Sequence, residues 1–166
     1  ELLPNRVLFD LTYANMQEID PPSYTQEELD FAQALQDSLD PKLVQGELDK
    51  FVPGSGTDAP AIFQGVLDQE QAGLVNIAGS SDSGDVSWLM PMNLFLTATW
   101  PLGVPAHSWQ ATAASGSTLG LKGMHYAAQI MAGMIYDLLN DADLVKRAKE
   151  EFAERTAGQK YESPLP

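Results

Sequence analysis

Apolar residues recur at helical spacing in two segments near the start of the chain. In the first they are Val7, Leu8, Leu11, Met16 and Ile19, and in the second Leu29, Ala32, Leu35 and Leu39. Asn5 is placed to cap the first helix, and Thr25 with Glu28 has the form of a capping box for the second. The prolines after Asp20 and Asp40 end these segments, since proline disfavours the helical conformation in the residue before it. The pattern predicts two helices.

A longer apolar stripe follows in the last third of the chain. Its members are Leu121, Met124, Ala128, Met131, Ile135 and Leu138, which step by three or four residues. This spacing predicts a long helix that buries this stripe, with Gly123, Ala127, Ala132 and Gly133 allowing a neighbour to approach closely. Asp141 is placed to cap a final helix that ends near Arg155.

Two short apolar runs between these helices favour strands. They are residues 74–77 (LVNI) and residues 93–100 (NLFLTATW), while residues 52–60 are rich in proline and glycine and indicate a loop. Together with the helices they predict a layered α/β fold with a mixed sheet flanked by helices. A sheet normally has about four to six strands, so two strands indicate part of a larger sheet.

Composition and charge narrow the possible partners. Nine basic residues against 23 acidic ones give a formal charge of -14, which argues against nucleic acid and anionic membranes as partners. The absence of cysteine excludes disulfides, thiolate metal ligands and a thiol nucleophile. The most apolar run is interrupted by polar residues and is shorter than the ~20 residues of a membrane span. Because the chain opens with Glu1 rather than methionine, we expect a segment of a longer protein or a processed product.

The two histidines differ in their sequence context. His107 follows a proline turn and precedes a glycine- and serine-rich stretch, so it is either a metal ligand or a polar residue closing a loop. A catalytic zinc needs three protein ligands, and one histidine cannot define such a site. His125 lies inside the long predicted helix without a second ligand at four-residue spacing, which is typical of a packed or half-exposed histidine.

Two polar loops contain the other candidate residues. Asp82 and Asp85 lie in a Gly/Ser-rich loop, where aspartate either supports a metal site or forms turns and caps helices. Gly116, Ser117 and Thr118 lead into the long helix, whose first amides could receive a carboxylate or phosphate of a substrate. The alternative is that Ser117 or Thr118 only caps that helix. No serine stands in a G-x-S-x-G elbow, although composition alone does not exclude a Ser-His-Asp triad.

Three stretches of the chain resemble a known family. They are GSSDSGDVSWLMP, GVPAHSWQATAASGSTLGLKGMHYAA and the closing DLLNDADLVKRAKEEFAERTAGQKYESPLP. They are similar to the C-terminal part of the aminobenzoyl-glutamate utilization group within the zinc metallopeptidase and amidohydrolase family, which also contains aminoacylases and glutamate carboxypeptidases. Residues 2–36 resemble the segment that follows the lid domain in that group.

The resemblance implies a domain organisation and a metal site. Residues 1–5 would end the lid or linker, residues 6–156 would form the C-terminal portion of the catalytic domain, and residues 157–166 would be a tail. The lid and dimerization domain would be absent. His107 matches the last metal-binding histidine of a two-metal site, with zinc as the expected ion, and Asp82 and Asp85 match the acidic loop before it. The other ligands and the general base would lie upstream, and Ala106 departs from the glycine that the family has before this histidine.

The resemblance also implies an activity. The complete protein would be a cytoplasmic, metal-dependent amidohydrolase and a homo-oligomer, and it would cleave the amide bond of N-acyl amino acids such as aminobenzoyl-glutamate. This chain would need the N-terminal half of the catalytic domain as its partner. The alternative is a non-catalytic acidic α/β module that binds a partner through an exposed sheet edge.

Overall fold

The computed structural model of the protein describes residues 2–51, 60–70 and 81–162. The helices in these ranges are α1 (Arg6–Glu18), α2 (Gln26–Asp37), α3 (Pro41–Phe51), α4 (Ser83–Ser87), α5 (Trp109–Ser115), α6 (Thr118–Asn140) and α7 (Ala142–Thr156). The predicted helices after Asn5, Thr25 and Asp141 and the long helix near the C-terminus are confirmed. None of the helices in the described ranges is both long and apolar enough to cross a bilayer.

The predicted helix starts are confirmed in atomic detail. The Asn5 side chain accepts a hydrogen bond from the amide of Leu8 at 3.0 Å. Thr25 and Glu28 form a complete capping box, in which each side chain accepts from the backbone amide of the other residue. Asp141 accepts from the amides of Asp143 and Leu144. These contacts satisfy amides that have no partner within their own helices, so each helix begins where its cap stands.

The chain forms two compact units, and residues 1–19, 79–95 and 129–166 belong to the first. In this unit α1 packs against α7. The Glu151 carboxylate on α7 accepts from the amides of Arg6 and Val7 at 2.7 and 2.9 Å, and Asn5 donates to the carbonyl of Ala148 at 2.9 Å. A carboxylate at the N-terminus of α1 also has the favourable sign for the helix dipole.

The second unit comprises residues 20–78 and 96–128. Its described core is a cluster of four buried residues with three partly buried neighbours: Ala32, Ala61, Ile62 and Leu119, with Tyr24, Leu29 and Ala98. Helices α2 and α5 contact each other in this unit. Helix α6 belongs to this second unit up to residue 128, and from residue 129 onward it belongs to the first unit.

The α/β prediction is wrong for the part of the chain that the structure describes, because it holds helices and no strand. Residues 93–100 take no regular structure, and the predicted strand at residues 74–77 and most of the predicted loop at 52–60 lie outside the described residues. A strand needs a neighbouring strand to pair its backbone groups, and apolar character alone does not supply one. Instead, Thr97 donates to the carbonyl of Gly123 on α6 at 3.0 Å and Ala98 packs on the core. The mixed sheet and the sheet edge are therefore not part of this structure's described residues.

The predicted long helix is present as α6, but the prediction of its buried side is wrong. Leu121, Met124, Met131 and Ile135 of the predicted stripe are all exposed large hydrophobic residues. The buried side of α6 contains Leu119, Gly123, Tyr126 and Ile130 instead. The helix is apolar on both sides, so periodicity alone could not tell which side faces the core.

Candidate functional site

The segment that carries His107 is anchored on both sides by buried or hydrogen-bonded residues. The amide of Leu102 donates to the carbonyl of Ala61 at 2.7 Å, and its own carbonyl accepts from the Gln36 side chain at 2.8 Å. Gly103 has a φ of 75°, and a side chain there would overlap Val44, so only glycine fits this turn. Val104 is buried directly after it. The loop is held in one path before it reaches the histidine.

Helix α5 fixes the other side of this segment. The Ser108 hydroxyl donates to the carbonyl of Pro105 at 2.8 Å and accepts from the amide of Ala111 at 3.1 Å, which makes it the N-cap. The side chain of Gln110 donates to Ser38 Oγ at 3.1 Å and is buried. Sequence reasoning missed α5, although a serine three residues before an alanine-rich run is a recognisable cap signal.

His107 lies between these anchors with an exposed side chain and a left-handed backbone, its φ being 63°. Residues other than glycine rarely adopt this conformation, and histidine is one of the few types enriched there. The turn presents the imidazole outward, two residues before Trp109, which is 65% exposed. The ring of His107 is thus accessible to a ligand and is not packed in the core.

The described residues supply only part of a metal site. An exposed neutral imidazole suits a divalent metal as one ligand. Within residues 2–51, 60–70 and 81–162, no group of three His, Cys, Asp or Glu side chains comes together to hold an ion. The imidazole of His107 therefore suits one ligand position of a metal site. The other ligands of that site would have to come from elsewhere. His125 is also exposed, on α6.

Gly116, Ser117 and Thr118 lie at the opposite end of α5 from His107. Seven residues separate the two ends, which corresponds to about 10 Å along the helix axis. Ser117 Oγ accepts from the amide of Leu119 at 3.2 Å and donates to the carbonyl of Ala114 at 2.6 Å. Ser117 therefore caps the start of α6, which is the alternative interpretation of this stretch. A role of Gly116, Ser117 and Thr118 in substrate binding stays a prediction.

Asp82 and Asp85 belong to the other compact unit, Asp82 directly before α4 and Asp85 within its first turn. Asp82 is exposed at the N-cap position but makes no side-chain capping bond. Asp85 Oδ1 accepts a hydrogen bond from the hydroxyl of Tyr161, a residue in the predicted tail. Their support of a metal ligand stays a prediction, and the sequence held no signal for the Tyr161 contact.

An ion pair that sequence reasoning missed lies near the start of α6. Lys122 Nζ is 2.6 Å from Glu28 Oε2 and donates to the carbonyl of Ser23 at 2.9 Å. Hydrogen bonds from Lys122, Thr118 and the Thr25 amide lower the pKa of Glu28 to about 2. Burial raises the pKa of the neighbouring Tyr24, whose hydroxyl has no hydrogen-bond partner among the described residues, and Glu28 raises it further. This cluster ties α2 to α6 and holds Glu28 ionised, with Lys122 and Tyr24 as the titratable groups beside it.

A shallow concavity of about 400 Å³ lies on the exposed side of α7. None of the candidate site residues belongs to this helix. The concavity is lined by Ala142, Val145, Lys146, Lys149, Glu150 and Ala153. Because side chains of a single helix line it, it is an open surface depression and does not identify a site.

Comparison with known proteins relates this chain to part of a hydrolase. The related protein is a subunit of p-aminobenzoyl-glutamate hydrolase from Escherichia coli (strain K12), which is 30% identical over 172 aligned residues. The match covers 99% of this chain but 36% of that protein, so the chain spans about a third of its relative's length. No protein-family model matches the chain. No solved structure matches it.

This similarity supports a relationship to the amidohydrolase type of enzyme, as the resemblance in the sequence implied. It extends over the loop of His107, both polar loops and the terminal helices, because it covers nearly the whole chain. Zinc dependence and the wider metallopeptidase relationship stay predictions.

Proposed function

We propose that this chain is the C-terminal part of a metal-dependent amidohydrolase that cleaves the amide bond of an N-acyl amino acid such as aminobenzoyl-glutamate. The observation that carries the proposal is the 30% identity to the E. coli hydrolase subunit over 99% of this chain. The substrate class follows from that relative's name and from the family resemblance of the His-Ser-Trp-Gln stretch. The complete enzyme would be cytoplasmic and a homo-oligomer.

His107 is proposed as the residue through which this chain binds the metal. Its support is the geometry of an exposed imidazole on a loop fixed by Gly103, Ser108 and Gln36. A fixed loop matters because a ligand held in one position loses little conformational freedom when the ion binds. Divalent metal, most simply two zinc ions, would polarise the scissile carbonyl and lower the pKa of a bound water.

The other candidate residues have supporting roles in this proposal. Asp82 and Asp85 would orient ligands or shape the pocket, as carboxylates commonly do around metal-bound histidines. Gly116, Ser117 and Thr118 would contact the substrate at the start of α6. The remaining ligands and the general base would come from the N-terminal half of the catalytic domain, which is the partner that this proposal requires.

Substitution of His107 tests the proposal in the complete enzyme. We expect His107→Ala to weaken metal binding at least about 100-fold, which is more than the loss of a residue that only orients a ligand causes, and to abolish hydrolysis. His107→Gly should have the same effect and should also fold well, because glycine adopts the positive φ of this position without strain. The measurements are metal content by elemental analysis and release of the free amino acid.

His125→Ala is the matched control, since it removes the chain's other exposed histidine. It should leave both metal content and hydrolysis unchanged. Unchanged metal content in His107→Ala and His107→Gly would overturn the ligand role. Absence of amide hydrolysis by the complete wild-type protein, when loaded with zinc, would overturn the enzyme proposal itself.

A further inference from the structure

Helix α6 has two apolar sides, and this chain covers one of them. Ile130 on the inner side is fully buried. The other side carries what we call the outer surface of α6, which consists of Met131, Ile135, Tyr136 and Leu139. A helix that is apolar all round is normally buried on more than one side, whereas a helix at a protein surface has a polar outer side.

The outer surface is exposed and continuous. Ile135 is 57% exposed, Tyr136 is 68% exposed and Leu139 is 81% exposed. Met131, Ile135 and Leu139 follow one another at four-residue intervals, so each is a direct neighbour of the next along the helix. Isolated exposed apolar residues are normal on protein surfaces, but such a row of large ones indicates an interaction site.

The net charge of this chain and the length of its E. coli relative indicate what covers the outer surface of α6. A second copy of the chain would bring two molecules with a net charge of -14 each together, and anionic lipid has the same unfavourable sign. The E. coli relative, in contrast, contains about two thirds of its length that this chain does not match. A helix apolar on both sides is the expected structure where a chain of this kind packs inside a larger enzyme.

We propose that the outer surface of α6 docks against an apolar surface of the remaining part of the hydrolase polypeptide, the part that corresponds to the unmatched two thirds of the relative. This inference rests on the proposed function and names the surface through which the chain joins its partner. The interface proposed here is one side of a helix, whereas the sequence had suggested the exposed edge of a sheet. Binding here completes the enzyme by burying Met131, Ile135 and Leu139.

Co-expression tests the proposal directly. The 166-residue chain is produced together with a tagged form of the E. coli subunit from which the segment matched by this chain has been deleted. We expect a 1:1 complex by native mass spectrometry. Met131→Glu and Ile135→Glu should each weaken binding at least about tenfold in titration calorimetry, because a charge would be buried in an apolar contact.

Gln17→Glu is the matched control, because it adds the same charge at an exposed position on α1, outside the outer surface of α6. It should leave binding unchanged, and circular dichroism should show that all three variants fold. Equal binding by all three variants, no complex with the wild-type chain, or a wild-type dimer that Ile135→Glu separates would each overturn the proposal.

The failure of this inference is distinguishable from the failure of the proposed function. His107→Ala should form the complex as tightly as the wild-type chain, because His107 is not part of the outer surface. A complex that forms through the outer surface but hydrolyses no amide, with zinc present, supports the interface and overturns the enzyme proposal. Hydrolysis by the complete protein without any effect of Ile135→Glu supports the enzyme and overturns the interface.

Discussion

At the residue scale, two side chains illustrate how local chemistry determines what a position can do. His107 adopts a backbone conformation that glycine would adopt more readily, and it keeps an exposed imidazole there. A strained residue at a fixed loop is a recurrent feature of functional sites. Glu28 is the opposite case, since its carboxylate is fully engaged in hydrogen bonds and an ion pair within the fold.

The pKa of Glu28 gives a testable pH dependence. Its value of about 2 in the folded chain lies below its ordinary value of 4.5, so the carboxylate stabilises the fold above pH 4.5. This stabilisation is lost as the pH falls from 4.5 towards 2. We expect Glu28→Gln to cost about 1–3 kcal/mol at pH 6 and to show a smaller further loss at pH 3 than the wild type, as measured by urea unfolding.

Glu27→Gln is the control for this experiment, because Glu27 is exposed in the same first turn of α2. It should lose stability between pH 6 and pH 3 much as the wild type does. An NMR titration that places the pKa of the Glu28 carboxyl near 4.5 would contradict the assignment, as would equal behaviour of the two variants.

At the element scale, close approach between the backbone of α6 and its neighbours decides how the helix packs. A side chain at Gly123 would overlap the carbonyl oxygen of Ala98, and one at Gly133 would overlap the side chain of Asn15. Asn15 in turn donates to Asp137 at 2.8 Å and to the carbonyl of Leu11 at 3.0 Å. The prediction from sequence that small residues let α6 approach its neighbours is confirmed at Gly123 and Gly133.

Alanine substitutions separate this packing effect from helix propensity. Gly123→Ala should destabilise the chain by about 1–3 kcal/mol or more, because the backbone oxygen of Ala98 must move. Gly46→Ala on α3 meets no atom within 4 Å, and it should stabilise the chain by about 1 kcal/mol through higher helix propensity. Thermal and urea unfolding of the two variants measure the difference, and a Gly123→Ala variant as stable as Gly46→Ala would refute the close contact.

At the scale of the whole molecule, net charge determines which partners are electrostatically accessible. The formal charge of -14 opposes association with polyanions over the whole surface. The apolar surface proposed for α6 adds no charge of its own, so the same repulsion acts there on a partner as acidic as this chain.

Binding measurements with polyanions, at low and at physiological ionic strength, test whether the negative charge of the chain prevents their association. We expect no binding of duplex DNA or phosphatidylserine vesicles in either condition, with a basic DNA-binding protein as the positive control. Fluorescence anisotropy or sedimentation that gave a dissociation constant below about 10 μM would contradict the prediction, since even non-specific binders with basic patches typically have dissociation constants of about 1–100 μM.

The sequence by itself determined the helices whose ends are encoded locally. Asn5, the Thr25–Glu28 pair and Asp141 each act within a few residues, so their effects can be read without knowing the rest of the chain. The identity of His107 as a candidate ligand was also local, through its motif. The exposure and the positive φ of His107 could not be read from the local sequence. They depend on the contacts that fix its loop to residues distant in sequence.

Tertiary structure alone decided the state of residues 93–100 and the orientation of α6. An apolar segment becomes a strand only when another strand pairs with it, and an apolar helix side is buried only when something covers it. Both depend on neighbours that are distant in sequence, as Thr97 with Gly123 and Leu119 with Ile62 show. Local hydrogen bonds could therefore be predicted from short stretches of sequence, whereas burial could not, because it is a property of the assembled chain.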